Sequence, residues 1–521
     1  MPRQARHDVL YGAYHKADTG GHHARPCPLM SLHVRRLPLV LLIRHGSGSY
    51  HRRHGFYGQP AQQLAGGQHA GHAGDGDERP APCTIRDKAR TLWQTPLPTM
   101  SESEAPPQVP RLTYLRIRNY RALRDVELRD LTPLTVLVGP NGSGKSTMLD
   151  ALAFLAEAVA GNLQQAWEKR NRFAGMRTRG SEGPIEFEVH IPSTNNPTTQ
   201  LAYTLEFVEA REKVLVLSER LSHKDEQGIE RLIFDAEGSP ESVNDTLDES
   251  SMVDVTIYPS QLNGNLNQFG TDANSLSLPF IRFYSGGSEF EEVVNQVFLF
   301  IKAYRYIHLT DNHTKGVVDA GPRERLSPSG DNLPNVLYYL QQKHPEVLQG
   351  LIGELRRQVP ALAEVLTEVT SDERLLLRFR DAPFEKPLPA QYMSDGTLRL
   401  TALLTLLREP EAAGLLGLEE PENELHPRLL PRLAEELRRA TETRQLLVAT
   451  HSPALLDALE PAQVWILHRG PDGYTQATRV ADLPDVVAMV EEGSPLGYLW
   501  ERNFFDVGDP LAPLSPQPIR E

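Results

Sequence analysis

Hydrophobic and polar residues alternate over residues 112–117, which is the pattern of a half-buried β-strand. Residues 134–138 are apolar except for Thr135 and are followed by a glycine, so they predict a short buried strand. The apolar positions of residues 147–159 recur at helical spacing, which places a helix shortly after that glycine. Three more alternating segments predict antiparallel strands: residues 185–191, 201–207 and 214–221.

The second half of the chain changes between helical and strand patterns. Residues 290–304 and 333–366 predict helices, and residues 373–379 predict a strand. Residues 223–285 are polar and rich in glycine, asparagine and serine, so we expect loops there. After these segments, helix and strand patterns alternate at residues 398–407, 415–418, 429–441 and 446–449. This alternation is typical of an α/β fold whose sheet is covered by helices.

Composition divides the chain near Met100. Residues 1–99 contain 13 Lys and Arg against 6 Asp and Glu, and 10 of the 18 histidines, whereas the whole chain has a net charge of −14. We expect a disordered extension over residues 1–109, because no regular periodicity is present. Its first part, residues 1–99, would lie ahead of a true start at Met100. The alternative is a metal-binding tail, although no stable scaffold would fix its ligands. The histidines concerned are His22, His23, His51 and His54.

No part of the sequence predicts a membrane segment or a disulfide framework. The longest apolar run, residues 37–43, is far shorter than the roughly 20 residues that a membrane helix needs. Both cysteines, Cys27 and Cys83, lie in the N-terminal segment. We therefore expect a soluble, cytoplasmic protein that does not contact a membrane.

A glycine-rich segment joins the buried strand at residues 134–138 to the following helix. It fits the pattern G-x-x-x-x-G-K-[ST], in which backbone N–H groups and a helix N-terminus surround phosphates. A plain glycine-rich turn is the alternative, but the flanking strand and helix favour a nucleotide site. Lys145 would reach the β- and γ-phosphates of ATP, and Ser146 would bind Mg²⁺. The expected nucleotide-binding residues are Gly139, Pro140, Asn141, Gly142, Ser143, Gly144, Lys145, Ser146 and Thr147.

Two carboxylates follow the short apolar strand at residues 415–418. Because ligands bind at the carboxyl ends of strands in such sheets, Glu419 and Glu420 stand where a ligand is expected. Glu419 would hold Mg²⁺, and Glu420 would orient and deprotonate the attacking water. The alternative is a cluster of acids that caps the helix predicted at residues 429–441.

Two further sites lie at the ends of predicted elements. His451 follows the strand at residues 446–449, where it could bind a γ-phosphate or a water, or could be structural. Ser394 and Gly396 precede the helix at residues 398–407. Small residues at a helix N-terminus can bind an anion, but an ordinary helix cap would use the same residues.

The order of these motifs resembles that of the ABC-type ATPases, and their sequences are similar to RecF-like and SMC-like members often labelled AAA family. The matching motifs are residues 117–123, 139–146, 394–399, 419–427 and 449–456. The resemblance covers about residues 111–482 and is thin between residues 223 and 320. It implies a P-loop NTPase fold of the ABC/RecF type, with a mixed sheet flanked by helices, an antiparallel β subdomain and a helical lobe.

The resemblance also implies a division of the chain into domains. The N-terminal extension would be followed by two halves of an ATPase head, which a helical lobe separates, and by a C-terminal tail. The expected boundaries are 1–109 for the extension, 110–285 and 381–482 for the two halves, 286–380 for the lobe and 483–521 for the tail.

The family would hydrolyse ATP in an ATP-dependent homodimer. Ser394 and Gly396 would form a signature motif that binds the γ-phosphate held by a second subunit, with His451 as the switch histidine. DNA and a nuclease or repair protein would be the partners, in double-strand break repair. The alternative is a regulatory ATPase that gates a nuclease or toxin in antiphage defence. A transporter ATPase is a third alternative. It is disfavoured because the signature motif reads Ser-Asp-Gly-Thr and not Ser-Gly-Gly-Gln.

Two other departures from the family pattern concern the catalytic motifs. Glu419 stands where most ABC-type ATPases have an aspartate, although a longer acid can still reach Mg²⁺. No glutamine can be assigned to the Q-loop, since Gln164 and Gln165 stand too close to the helix at residues 147–159.

A basic loop offers a candidate contact with DNA, although an acidic protein as a whole repels it. The alternative is a solvated loop. The loop residues are Lys169, Arg170, Arg172, Arg177 and Arg179. Arg116, Arg118, Arg121 and Arg124 add further positive charge, although Arg121 could contact the nucleotide instead.

Overall fold

The computed structural model describes residues 110–196, 198–210, 212–238, 252–258, 267–282, 289–310 and 317–509. The predicted extension at residues 1–109 and the end of the predicted tail, residues 510–521, lie outside the described residues.

Strands and helices in the described residues are numbered in chain order. The strands are β1 Tyr114–Tyr120, β2 Leu123–Leu128, β3 Leu134–Val138, β4 Ile185–Pro192, β5 Gln200–Ala210, β6 Lys213–Lys224, β7 Glu230–Gly238, β8 Met252–Ile257, β9 Asn267–Asp272, β10 Arg305–Ile307, β11 Val318–Asp319, β12 Leu362–Val369, β13 Arg374–Asp381, β14 Leu388–Pro389, β15 Leu415–Glu419, β16 Gln445–Thr450, β17 Val464–Arg469 and β18 Thr475–Arg479. The helices are α1 Lys145–Ala160, α2 Leu163–Lys169, α3 Arg172–Met176, α4 Leu278–Ile281, α5 Glu289–Lys302, α6 Leu333–Lys343, α7 Pro345–Gln358, α8 Asp395–Leu407, α9 Leu430–Ala440, α10 Pro453–Leu456, α11 Pro484–Glu491 and α12 Leu496–Glu501.

A six-stranded sheet carries the predicted α/β core. Its order is β10-β15-β16-β3-β17-β18, and its neighbours are parallel except for the antiparallel pair β17–β18. Every residue of β3 and of β16 is buried, as expected for parallel strands that are covered on both faces. The parallel arrangement brings the carboxyl ends of β3, β15 and β16 to one edge of the sheet.

An eight-stranded antiparallel sheet forms the predicted β subdomain, in the order β2-β1-β4-β5-β6-β7-β8-β9. Its inner face packs with α1 and α5 in one hydrophobic cluster that includes Phe154, Phe187 and Phe207. The rings of Phe154 and Phe207 stack with their centroids 5.3 Å apart. The α/β class, the mixed sheet and the antiparallel subdomain predicted from sequence are thereby confirmed.

Two segments differ from the sequence-based expectation. Residues 223–285 were expected to be loops, but the described part of that range completes β6 and contains β7, β8, β9 and α4. Residues 333–366 were expected to be helical, but the chain leaves α7 at Gln358 and continues into β12. Within the segment predicted as a helical lobe, α5 packs with the β subdomain, whereas α6 and α7 pack with a small sheet in which β13 pairs with β11, β12 and β14.

The C-terminal segment has more structure than a tail. Helices α11 and α12 lie between residues 484 and 501, and Leu496, Leu499 and Phe505 are buried in the second hydrophobic cluster of the core. Trp500 packs against the same cluster. As far as residue 509, the segment is therefore part of the folded body. Among the helices that the structure describes, none is long and apolar enough to cross a membrane.

Candidate functional site

The glycine-rich loop between β3 and α1 has a backbone that only glycine tolerates at two positions. Gly139 and Gly144 have φ angles of 154° and 108°, and a Cβ atom on Gly139 would lie 1.9 Å from the carbonyl oxygen of Leu467. A Cβ atom on Gly144 would lie 2.6 Å from Oγ1 of Thr475. The loop is thus held tightly against β17 and β18, with its N–H groups at the start of α1.

Lys145 is the first residue of α1 and is buried, with 5% of its surface exposed. Its Nζ atom donates hydrogen bonds to the carbonyl oxygens of Gly139 at 2.8 Å and of Pro140 at 3.2 Å. Burial lowers the pKa of Lys145 to about 8, although nearby carboxylates, Glu420 foremost, oppose the shift. The ammonium group is therefore held inside the loop where a phosphate chain would need it.

Glu419 ends β15 and contacts the first turn of α1. Ser146 donates a hydrogen bond from Oγ to one carboxylate oxygen, and Tyr306 donates one from its hydroxyl to the other. Burial raises the pKa of Glu419, but the hydrogen bonds from Ser146 and Tyr306 outweigh it, so the pKa lies below its usual value. The hydroxyl of Ser146 and the ionised carboxylate of Glu419 are hard oxygen donors that suit Mg²⁺.

Few protein ligands would contact a cation at this place. The described residues contain no group of three or more His, Cys, Asp and Glu side chains that could hold a metal ion. Because Mg²⁺ commonly keeps one or two protein ligands plus phosphate oxygens and waters, a pair such as Ser146 and Glu419 fits it better than a transition metal.

Glu420 has the opposite electrostatic environment from Glu419, although the two are adjacent in sequence. Its backbone is left-handed, with a φ angle of 43°, and its N–H donates to the carbonyl oxygen of Ala449 at 2.8 Å. Burial and the negative charge of Glu422 raise the pKa of Glu420 to about 8. A carboxylate with a raised pKa is well suited to accept a proton near neutral pH.

His451 follows β16 and faces the second carboxylate. Its Nε2 atom lies 3.4 Å from Oε1 of Glu420. Its backbone N–H donates to Oε1 of Glu422 at 3.2 Å, and the hydroxyl of Thr450 donates to the same oxygen. Burial, followed by the positive charge of Lys145, lowers the pKa of His451, so the imidazole is neutral at physiological pH.

One cavity of about 1040 Å³ collects most of the residues predicted from sequence. It is lined by the whole glycine-rich loop from Gly139 to Thr147, by Glu419 and Glu420, and by His451. The structure therefore brings three separate motifs together, because β3, β15 and β16 end side by side. The remaining lining residues of the cavity are Ala122, Asn423, Pro453, Arg469, Trp500, Glu501, Asn503, Gly508 and Asp509.

Ser394 and Gly396 are placed differently from these motifs. Neither Ser394 nor Gly396 is among the described residues that line the cavity. Ser394 caps α8, and its Oγ accepts a hydrogen bond from the N–H of Thr397 at 3.3 Å. Gly396 lies so close to the chain after β15 that a Cβ atom would be 2.5 Å from the carbonyl oxygen of Glu424. Within one chain, Ser394 therefore caps α8 and Gly396 lies in the first turn of that helix, outside the lining of the nucleotide cavity.

Three residues that contact the predicted site were missed by the sequence analysis. Tyr306 and His308 lie on and just after β10, and Nδ1 of His308 is 3.1 Å from Oε2 of Glu419. Arg469 ends β17 and donates from Nε to the carbonyl oxygen of Gly142 at 2.9 Å. No motif marks them, because each belongs to the site only through the order of strands in the sheet.

The basic loop is largely neutralised by neighbouring acids. Lys169 and Arg170 both pair with Glu157 at 2.7 Å, and Arg170 also pairs with Asp150 at 3.2 Å. Arg172 pairs with Glu212 at 3.2 Å. Arg116 and Arg118 of β1 contact Asp125, Arg121 in the turn after β1 contacts Asp150, and Arg124 of β2 contacts Asp472. The guanidinium group of Arg177 lies 5.7 Å from the ring centre of Phe173. Much of the charge that suggested DNA binding thus has a partner within the chain.

The fold and this cavity define a P-loop ATPase of the AAA type. The chain belongs to the family described as "AAA domain, putative AbiEii toxin, Type IV TA system", whose model matches residues 134–291 and 318–457, more than half of the chain.

Individual proteins are similar over shorter lengths or with low identity. The OLD nuclease of Thermus scotoductus is 35% identical over 77 residues, which are 15% of this chain and 14% of that protein, so the match spans only a small part of either. An SMC head bound to the C-terminal winged-helix domain of ScpA is 12% identical, with a TM-score of 0.42, over 70% of this chain and 97% of the other. The SMC head domain of Thermotoga maritima is 13% identical, with a TM-score of 0.35, over 71% and 98%.

Proposed function

We propose that this protein hydrolyses ATP at a composite site that two copies of the chain complete. The observation that supports this most is the single cavity in which the glycine-rich loop, the Ser146–Glu419 pair, Glu420 and His451 meet. P-loop NTPases need a phosphate cradle, a magnesium site and a group that orients the attacking water, and these residues supply one of each.

Each residue has a role that its environment favours. Lys145 binds the β- and γ-phosphates, and Ser146 and Glu419 hold Mg²⁺, which would neutralise phosphate charge when bound. Glu420, whose pKa is raised, accepts a proton from the attacking water. His451 holds Glu420 or the γ-phosphate in place through Nε2.

The position of Ser394 supports a role for a second copy. In the proposed role, Ser394 and Gly396 bind the γ-phosphate, yet in their own chain they lie outside the lining of the nucleotide cavity. A second copy, related by a two-fold axis, can present its own α8 N-terminus to that cavity. ATP then connects the two copies, and hydrolysis requires the dimer.

Two substitutions test this mechanism. Glu420→Gln should bind ATP but reduce its turnover at least about a hundredfold, since an amide cannot take the proton of the water. The uncleaved ATP should then hold the protein as a dimer. Ser394→Arg should bind ATP with normal affinity but neither dimerise nor hydrolyse it, because a bulky side chain fills the space of the γ-phosphate.

Light scattering with and without ATP separates these outcomes. The charge-matched control is Thr443→Arg, which changes a residue on the exposed turn after α9 and should dimerise normally. The composite site is refuted if Glu420→Gln remains a monomer at micromolar concentration with ATP bound, or if Ser394→Arg dimerises and hydrolyses ATP like the unchanged protein.

For the cellular role, we propose ATP-dependent work on DNA in double-strand break repair, with a nuclease or repair protein as partner. The second candidate is a regulatory ATPase that gates a nuclease or toxin in antiphage defence, which the description of the family as a putative toxin and the short OLD nuclease match favour. ATP turnover measured with linear, nicked and single-stranded DNA separates them. Stimulation by one DNA form supports repair, whereas no response to any form supports gating of a protein partner.

A further inference from the structure

Exposed aromatic residues stand beside two parts of the proposed composite site. Tyr498 and Phe504 lie on and just after α12, and they are 47% and 44% exposed. Tyr392, two residues before Ser394, is 68% exposed. Exposed large aromatic side chains at fixed positions are typical of protein interfaces, whose centres are enriched in Tyr, Trp and Phe.

Helix α12 lies on the side of the nucleotide cavity where His451 stands. It packs on α10, which begins two residues after His451, and the N–H of Gly497 donates to Oδ1 of Asp457 at 2.8 Å. Gly497 also allows close approach, since a Cβ atom there would lie 2.0 Å from the carbonyl oxygen of Pro453. The next residues along the chain, Trp500, Glu501 and Asn503, line the cavity itself.

The aromatic pair is held outward by the burial of its neighbours. Leu496, Leu499 and Phe505 are buried in the core, so Tyr498 and Phe504 are fixed on the opposite side of the segment. Their ring centroids are 6.3 Å apart. Tyr498 and Phe504 therefore form an outward-facing aromatic surface next to the cavity, here called the rim pair.

The segment that carries the signature residues presents its own aromatic side chain. Residues Ala390–Tyr392 form a single 3-10 turn, in which Ala390 is buried and Tyr392 points to solvent. Ser394 follows directly as the cap of α8. Any partner that receives Ser394 must therefore also accommodate Tyr392.

We propose that Tyr392 of one copy packs against the rim pair, Tyr498 and Phe504, of the other copy in the ATP-bound dimer. The proposal rests on the composite site, in which Ser394 of one copy must approach the γ-phosphate of the other copy. His451 of that other copy would stand beside this phosphate, and α12 packs on the helix that follows His451. The contact is made twice in a two-fold dimer, since each copy carries both surfaces. The aromatic contacts anchor the interface, and ATP completes it.

Cross-linking between two singly labelled proteins tests this contact. All proteins carry Glu420→Gln to retain ATP, and Cys27→Ser and Cys83→Ser to remove the native thiols. Tyr392→Cys is mixed with Tyr498→Cys and treated with a short bismaleimide. A cross-linked dimer should form in the mixture with ATP and Mg²⁺, and should be at least about tenfold less abundant without ATP. A mixture of Phe280→Cys with Tyr498→Cys is the matched control, since Phe280 is a 55% exposed aromatic residue of the β subdomain.

Affinity measurements give an independent readout. In the Glu420→Gln protein, Tyr392→Ala and Tyr498→Ala should each raise the dimer dissociation constant about tenfold or more, with ATP affinity of the monomer unchanged. Phe280→Ala should leave both quantities unchanged. Equal melting temperatures of the three variants would confirm that each variant folds.

The outcomes distinguish this inference from the proposed function. If Glu420→Gln alone fails to dimerise with ATP, the composite site and the aromatic contact are both overturned. If it dimerises, but Tyr392→Ala and Tyr498→Ala dimerise equally well, the composite site stands and the aromatic contact is overturned. The same conclusion follows if the control pair cross-links as efficiently as the tested pair.

Discussion

At the scale of single residues, adjacent carboxylates acquire different chemistry from their neighbours. Glu419 faces the hydroxyl donors of Ser146 and Tyr306, which favour its ionised form. Glu420 turns away through a left-handed backbone, and its burial, followed by the negative charge of Glu422, raises its pKa to about 8. A magnesium ligand and a proton acceptor therefore stand side by side, because the environment separates their pKa values.

Lys145 allows a prediction at this scale. Lys145→Ala should weaken ATP binding at least about tenfold, because the loop loses the buried ammonium group that binds the phosphates. Binding of a fluorescent ATP analogue measures the change. Lys169→Ala is the control, since that lysine is exposed and pairs with Glu157, and it should bind ATP normally. An affinity for Lys145→Ala within about threefold of the unchanged protein would contradict the assignment of the phosphate site.

At the scale of elements, a buried carboxylate joins the β subdomain to α4. Glu219 of β6 is fully buried, and it accepts hydrogen bonds from the N–H groups of Ser277 at 2.5 Å and Leu278 at 3.0 Å. The hydroxyl of Tyr203 donates to it at 2.9 Å. Glu219→Ala removes the acceptor of all three donors, so we expect a loss of about 3 kcal/mol in the free energy of unfolding.

The pH dependence of Glu219 gives a sharper test. Burial raises the pKa of Glu219 above its usual 4.5, although hydrogen bonds from Ser277, Leu278 and Tyr203 oppose the shift. The folded state then holds the proton more tightly than the unfolded state, so the contribution of Glu219 to stability is lost as the pH rises. Urea unfolding at pH 5 and pH 8 should show that the stability of the unchanged protein relative to Glu219→Gln falls with pH. A relative stability that rises with pH would mean that the carboxylate is favoured in the ionised form.

At the scale of the whole molecule, the net charge and the pairing of the basic loop both disfavour binding to DNA. The chain carries −14 overall, and most of the predicted basic loop is paired with acids, so non-specific attraction to DNA is weak. Contact with DNA would have to come from the end of the loop, where Arg177 stacks on Phe173 and the carbonyl oxygen of Arg179 accepts a hydrogen bond from Tyr474.

This leads to a prediction about salt. If the loop contacts the DNA backbone, Arg177→Ala with Arg179→Ala should weaken binding similarly for all sequences. It should also reduce the slope of log affinity against log salt by about one unit for each lost contact. Fluorescence anisotropy from 50 to 200 mM salt measures both, and Arg220→Ala, which pairs with Asp235, is the control. An unchanged affinity and slope would show that the loop is a solvated surface.

The sequence by itself determined the features that depend on neighbouring residues. The glycine-rich loop, the buried strands β3 and β16 and the ends of α1 and α8 are set by local patterns of glycine, apolar runs and capping residues, and their positions agree with the structure within a few residues. Local patterns were misleading at β12, where Leu362, Val365, Leu366 and Val369 have helical spacing. Pairing with β13, the next strand along the chain, decided the outcome, because packing against a partner strand can override the spacing of apolar residues within one segment.

Only the tertiary structure decided which distant residues complete the site. Tyr306 reaches Glu419 across 113 positions of sequence, and Arg469 reaches Gly142 across 327. Both contacts exist because β10, β15, β3 and β17 end at one edge of the same sheet, and strand order is not written in any local pattern. The C-terminal segment reaches the cavity for the same reason, since the burial of Leu496, Leu499 and Phe505 draws residues 500–509 onto the folded core.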